Sequence, residues 1–264
     1  MGTALLVRLL VAAAAMLLVM AVVWAIAVRM RNAGIVDVAW SANFSLLASL
    51  YAATGTGYVP RRLLIAAMTL VWSLRLAAYL CVRVLGAHPV EDGRYQQLRK
   101  DWAPTADRRF FSFFQFQGAL NVVLSAPMLL PTLDAAPRLT PLEWAGLGLW
   151  AVALAGESAA DAQLDRFRRD PAHRGRTCQV GLWAYSRHPN YFFEWLIWVA
   201  FFLFASSSPG GAFTVYCPLL MLYFLFRVTG IPATEAQALK SRGDEYREYQ
   251  RTTSVFVPWL RKAP

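Results

Sequence analysis

Acidic residues are scarce in this chain of 264 residues: 16 Asp and Glu stand against 26 Lys and Arg, a formal net charge of +10. Charge of either sign amounts to only 16% of the sequence. That is too little for a coiled coil or a disordered chain, whose polar character comes largely from charged residues. Cysteine and histidine number three each. Cys81, Cys178 and Cys217 form no CxxC pair, and the histidines are as scattered, so no zinc spacing and no disulfide framework exists. No metal is expected. Internal repeats are lacking too, and the only low-complexity tract is the alanine run of residues 12–15.

What fills the chain is apolar. Hydrophobic residues reach 57%, against roughly 45–50% in a soluble globular protein. Crossing ~30 Å of hydrocarbon takes about 20 mostly apolar residues in a helix. Seven stretches come near that, at 4–28, 34–54, 63–85, 113–133, 141–164, 190–207 and 211–229. The second is interrupted by Asp37, Asn43 and several hydroxyl residues. The first, with Arg8 ahead of its alanines, is too long for a signal peptide and reads as a retained helix. The expectation is an all-α polytopic membrane protein of about seven spans, one membrane domain over 1–264 with a tail at 230–264.

Loop charges give that reading a direction. With Arg29 and Arg31 on the cytoplasmic face, seven spans put 83–112, 165–189 and the tail from Arg227 on the same side. These segments hold 21 of the 26 cations. The other face has Arg8, Arg61, Arg62 and Arg138, of which Arg61 and Arg62 are discordant, and Arg75 lies inside a span. Positive-inside asymmetry then places the amino terminus outside and the carboxyl terminus in the cytoplasm. It also accounts for the basic charge without nucleic acid, which is not an expected partner. Residues 86–112 mix Glu91, Asp92, Arg94, Tyr95 and Trp102, unlike a flexible linker. The tail 233–252 is helix-forming, and Phe256-Val257-Pro258-Trp259 reads as an interfacial anchor.

Ionisable residues at bilayer depth cost about 2.5–3.5 kcal/mol each on insertion scales and so call for a function or a partner. Asp37, Arg75, Glu157, Asp161 and Glu194 are in that position. Glu157, Asp161 and Asp165 recur at i, i+4, i+8 on one helical face, which Arg168 continues. Like charges so placed repel, which points to a cation or a donor-rich ligand opposite. The densest constellation is Gly181-Leu182-Trp183-Ala184-Tyr185-Ser186-Arg187-His188-Pro189-Asn190-Tyr191. Pro189 suits the first turn of a helix, and Arg187 and His188 would flank an anion there.

With these segments the sequence resembles the steroid 5-alpha-reductase superfamily, most closely its uncharacterised bacterial branch. The resemblance rests on Ile35–Trp40, Trp72–Leu76, Glu91–Tyr95, Ala160–Phe167, Gly181–Glu194 and Arg227–Pro232. It implies a seven-helix protein of the bacterial inner membrane that binds NADPH from the cytoplasmic side. It also implies hydride transfer to the carbon–carbon double bond of a lipophilic enone, steroid-like or lipid. The cofactor residues it implies are Glu157, Asp161, Arg168, Asn190, Glu194 and Arg227, joined by Tyr185, Arg187, His188, Tyr191 and Glu235. For the carbonyl-polarising pair it implies an acid near Asp37 and a tyrosine near Trp72. Tryptophan cannot replace a phenolic donor, which leaves Arg75 and Tyr79 nearby as the remaining polar candidates.

A second resemblance is to membrane methyltransferases of isoprenylcysteine or phospholipid amines, through Arg187-His188-Pro189-Asn190-Tyr191 and Glu235. It implies S-adenosylmethionine at that motif instead of NADPH. A third reading is a lipid-binding relative without chemistry, prompted by Trp72. In all three the partner is a lipophilic small molecule in contact with membrane lipid.

Overall fold

The computed structural model describes residues 2–261. Among them no β-strand forms, and the one sheet-like contact is a lone parallel bridge between Ser186 and Ser254. The helices are α1 (Gly2–Met30), α2 (Ile35–Thr54), α3 (Val59–Ala87), α4 (Gly93–Asp101), α5 (Ala106–Leu124), α6 (Ala126–Leu129), α7 (Pro141–Arg169), α8 (Pro189–Ser206), α9 (Tyr216–Tyr223), α10 (Ile231–Arg242) and α11 (Asp244–Thr252). Helix occupies all seven apolar stretches. Among the described residues, four stretches are long and apolar enough to cross a membrane: Gly2–Met30, Ile35–Thr54, Val59–Ala87 and Gly211–Arg242. A fifth joins them if Ala106–Leu124 and Ala126–Leu133, bent by 40°, count as one. The helices α7 and α8 are outside that set; Glu157 and Asp161 interrupt the body of one, and Asn190 and Glu194 the opening turns of the other.

The chain divides into two compact units, Met1–Leu139 with Ser207–Gly211, and Thr140–Ser206 with Ala212–Pro264. In the first, α1 turns Leu6, Leu10, Val11, Leu17 and Leu18 outward, an apolar surface suited to lipid. Its inward face is narrow and carries Ala12, Met16, Met20 and Ala27, against which α5 packs; a Cβ on Gly118 would come within 3.0 Å of the Met20 side chain. The polar residues that interrupt α2 point inward. Asn43 donates to Asn121 Oδ1 at 2.9 Å, and Asn121 in turn donates to the Trp40 carbonyl at 3.0 Å. Ser45 and Ser73 share a hydrogen bond of 2.6 Å, and Tyr51 meets Ser125 at 2.9 Å. Small hydroxyl and amide side chains thus hold α2, α3 and α5 together without a charge, as in membrane bundles.

Arg61, discordant as an orienting charge, is fully buried. Its guanidinium donates to the carbonyls of Asp134, Ala136 and Arg138 and lies 3.5 Å from the Asp134 carboxylate. Arg62 donates to the Ala52 carbonyl at 3.1 Å. Arg61 thus serves irregular backbone and Arg62 the last turn of α2, in both of which carbonyls have no helical partner.

In the second unit α7 and α8 form a close pair. A Thr140–Glu143 capping box starts α7: Thr140 Oγ1 accepts from the Glu143 N–H at 3.2 Å, and Glu143 Oε2 accepts from the Thr140 N–H at 2.7 Å. Gly146 lets the two backbones approach, since a Cβ there would lie 2.9 Å from Phe204 N and 3.0 Å from the Ala200 carbonyl. The helix α8 opens at Pro189, where the missing N–H costs no hydrogen bond. After α9 the chain passes through one π-helical turn, Phe224–Val228, with Thr229 N–H bonded five residues back to Phe224 at 3.0 Å.

Candidate functional site

The face of α7 that carries the acids is buried where it meets α8. Glu157 and Asp161 are 3% and 5% exposed. Asn190, in the first turn of α8, donates to Asp161 Oδ1 at 3.3 Å. Glu194, one turn further, accepts the Trp198 indole N–H at 3.0 Å. Gly156 faces the Phe193 ring so closely that a Cβ would fall 2.4 Å from it. The line of acids ends sooner than the spacing implied: Asp165 turns to Arg169 at 2.7 Å and is half exposed. Arg168, a further turn along, is exposed. At 1.5 Å per residue the stretch from Glu157 to Arg168 covers about 16 Å.

The segment 181–191 is held by a knot centred on Glu235. Glu235 Oε1 accepts from Arg187 Nε at 2.7 Å and lies 3.2 Å from His188 Nε2, while Oε2 accepts from Gln250 at 2.7 Å. Arg187 also donates to the carbonyls of Gln250 and Thr253, at 2.9 and 2.7 Å. The tail then runs alongside. Arg187 N–H donates to the Ser254 carbonyl, Ser186 Oγ to the Phe256 carbonyl, and Trp259 N–H to the Tyr185 carbonyl. The buried Tyr249 hydroxyl donates to the carbonyls of Trp183 and Ser186. Phe256 packs on Phe192 and Trp195 and is 5% exposed, so it belongs to the core. Of the aromatic anchor read from the sequence, Trp259 keeps an exposed face.

His188 is buried, and its ring stacks on Tyr191 at 5.3 Å with planes 4° apart. Burial holds its imidazole below the ordinary histidine value; the Glu235 bond and charge oppose this, and the Arg187 charge adds to it. Tyr191 reaches Thr234 Oγ1 at 3.2 Å. Gly181 adopts a positive φ of 56° that brings its Cα against Gln163, whose Oε1 takes the Leu182 N–H at 2.8 Å. Trp183 donates to the Ala160 carbonyl at 2.9 Å. Tyr185 is about half exposed, and Arg227 is exposed within the π-helical turn.

The candidates of the first unit have different surroundings. Asp37 Oδ1 accepts the Tyr95 hydroxyl at 2.7 Å, its Oδ2 accepts Arg94 Nη2 at 3.0 Å, and Arg83 lies 4.0 Å away. Glu91 takes Arg99 through both oxygens, at 3.1 and 3.0 Å, and accepts the Ala33 N–H at 2.6 Å. Asp92 caps α4 through the Arg94 N–H. Burial acts to raise the Asp92 carboxyl, but the charge of Arg94, its bonds, and Arg83 together bring it below the usual range. For Tyr95, burial first and then the Asp37 charge push the phenol well above its usual value, so it keeps its proton. The Glu91–Tyr95 motif therefore folds back as α4 and locks onto the start of α2. An acid role for Asp37 requires this hydrogen bond and ion pair to open. Arg75 and Tyr79 are half-buried one turn apart on α3, and Trp72 is fully buried against Phe44 at 5.4 Å.

Three contributors to the knot carry no local signature: Gln250, Thr253 and Ser254, which act through a side-chain amide or backbone carbonyls some 60 residues away in sequence from Arg187.

Residues 23–253 match a family model described as "Protein of unknown function (DUF1295)". An uncharacterized protein of Schizosaccharomyces pombe is 29% identical over 269 residues, an alignment that covers 90% of this chain and 76% of the yeast protein. No solved structure matches. With the family model spanning most of its length, the chain belongs to DUF1295, a steroid 5-alpha-reductase-like family.

Proposed function

We infer that this protein is an NADPH-dependent reductase of a carbon–carbon double bond in a lipophilic enone, embedded through seven helices with its tail in the cytoplasm. The observation that carries the reading is the single α7–α8 face with Glu157, Asp161 and Asn190 at one end and the exposed Arg168 at the other. The donor set fits the cofactor. Carboxylates at low exposure accept from amide and ribose hydroxyl donors, and guanidiniums at an open mouth match phosphates. The length of about 16 Å suits a dinucleotide better than a mononucleoside. Glu157, Asp161 and Asn190 would hold the donor-rich end, with Arg168 on the phosphates. When bound, NADPH supplies the hydride. The chain's part is to position it and to keep water away, which the Phe193 ring against Gly156 and the buried Trp198 serve.

The methyltransferase reading asks Arg187 and Glu235 to engage a ligand. Here they are engaged with each other, and three donors already occupy the Glu235 oxygens. That favours a structural task for the pair. Titration of the detergent-purified protein with NADPH and with S-adenosylmethionine, followed by tryptophan fluorescence, tests the choice. Saturable NADPH binding without S-adenosylmethionine binding is expected; the reverse order overturns the reading.

A further inference from the structure

An open cleft of about 630 Å³ runs along the beginning of α5 in the first unit. Its wall is a single helical stripe: Thr105, Arg108, Arg109, Ser112, Phe113 and Phe116 recur at i, i+3, i+4, i+7, i+8 and i+11. Chemistry changes along that stripe. The first turn offers two guanidiniums and a hydroxyl, the second adds Ser112, and the third is bare phenylalanine, with Phe116 57% exposed. From Arg109 to Phe116 is about 10 Å along the axis. Trp102, packed edge-on to Phe110 at 5.0 Å, closes the polar end.

The two arginines carry charge that the protein leaves uncompensated. Among the described residues neither side chain makes an ion pair, although acids are close in sequence. Asp107 is taken by Arg99 at 3.2 Å, and Asp101 accepts Gln97 at 2.8 Å. Orientation of a span needs positive charge nearby but not a cleft. A cleft that is cationic at one end and aromatic a few ångströms further on, at the start of a helix apolar enough to form part of a span, has the polarity sequence of a phospholipid.

We propose that this cleft binds the phosphate headgroup of an anionic membrane phospholipid through Arg108, Arg109 and Ser112, with the proximal acyl chain on Phe113 and Phe116. Charge complementarity selects the anion, and the apolar floor selects a lipid over a free phosphate. The proposal is independent of the cofactor reading.

The test is native mass spectrometry of the full chain in detergent, titrated with dioleoyl phosphatidylglycerol, dioleoyl phosphatidylcholine or glycerol 1-phosphate. One phosphatidylglycerol is expected to bind at concentrations where the other two do not. Each juxtamembrane cation contributes about a fivefold factor, so R108A and R109A should each weaken retention about that much. R108K/R109K should retain it, and R247A/R251A, which removes two exposed tail charges, should leave it unchanged. Retention by R108A/R109A within twofold of the parent overturns the proposal. So does equal weakening by R247A/R251A, which means diffuse charge, or glycerol 1-phosphate binding as tightly as the lipid, which means a soluble ligand. Should the double variant fail to purify, the two single variants at these exposed positions decide.

Discussion

Arg187 satisfies one carboxylate and two carbonyls at once, and its own side chain is only 10% exposed. Replacing it with alanine leaves Glu235 without its charged partner and two carbonyls short of a donor. Breaking a buried pair in this way costs about 3 kcal/mol, so R187A is expected to lower the thermal midpoint sharply in detergent. Arg247, an exposed residue whose side chain pairs with Asp244 three positions back, should be replaceable within about 0.5 kcal/mol. His188 supplies a pH signature. Its folded value lies below the ordinary one near 6.5, so the unfolded chain takes up a proton that the native state resists. Stability is then full above pH 6.5 and declines as the pH falls below it. H188Q should flatten that decline between pH 7 and 5, measured as melting midpoint against pH. An unchanged slope would remove His188 as its source.

At the scale of elements, the α7–α8 pair depends on a backbone approach that only glycine permits. Gly146 would put a Cβ against the Phe204 N–H and the Ala200 carbonyl, neither of which can rotate away. G146A is expected to destabilise by about 1–3 kcal/mol through overpacking. Gly148 on the same helix has open space around it, so G148A should gain up to about 1 kcal/mol of helix propensity. Thermal melts of the two variants should therefore move in opposite directions. The helices themselves were legible in the sequence because apolar runs and Pro189 are local signals. Even the tail helix was readable from its composition, although Gly243, at a φ of 55°, breaks it into α10 and α11. What could not be read is what joins residues far apart. Arg61 reaches carbonyls more than 70 positions away, and Ser186 reaches Phe256 at a separation of 70. Such bonds involve backbone atoms, which every residue type carries.

Over the whole molecule, the excess of base has three distinguishable employments. Arg61, Arg94, Arg99 and Arg187 are structural, each bonded to a carboxylate or to carbonyls. Arg108 and Arg109 line an open cleft. Arg166 and Arg168 stand exposed on the last turns of α7. The candidate site was partly legible: the i, i+4 acids of α7 and Asn190 do come together. Arg187, His188 and Glu235 also meet, in a knot that the tail joins through Gln250. The Tyr95–Asp37 bond was hidden in the sequence because a 58-residue separation gives no periodicity to read.

The cofactor claim rests on α7, and one measurement addresses it most directly: fluorescence titration of the parent protein and R168A with NADPH and S-adenosylmethionine. Saturable binding of NADPH alone is expected, weakened about tenfold in R168A by loss of a charge-assisted phosphate contact. Saturable S-adenosylmethionine binding with no response to NADPH would contradict it.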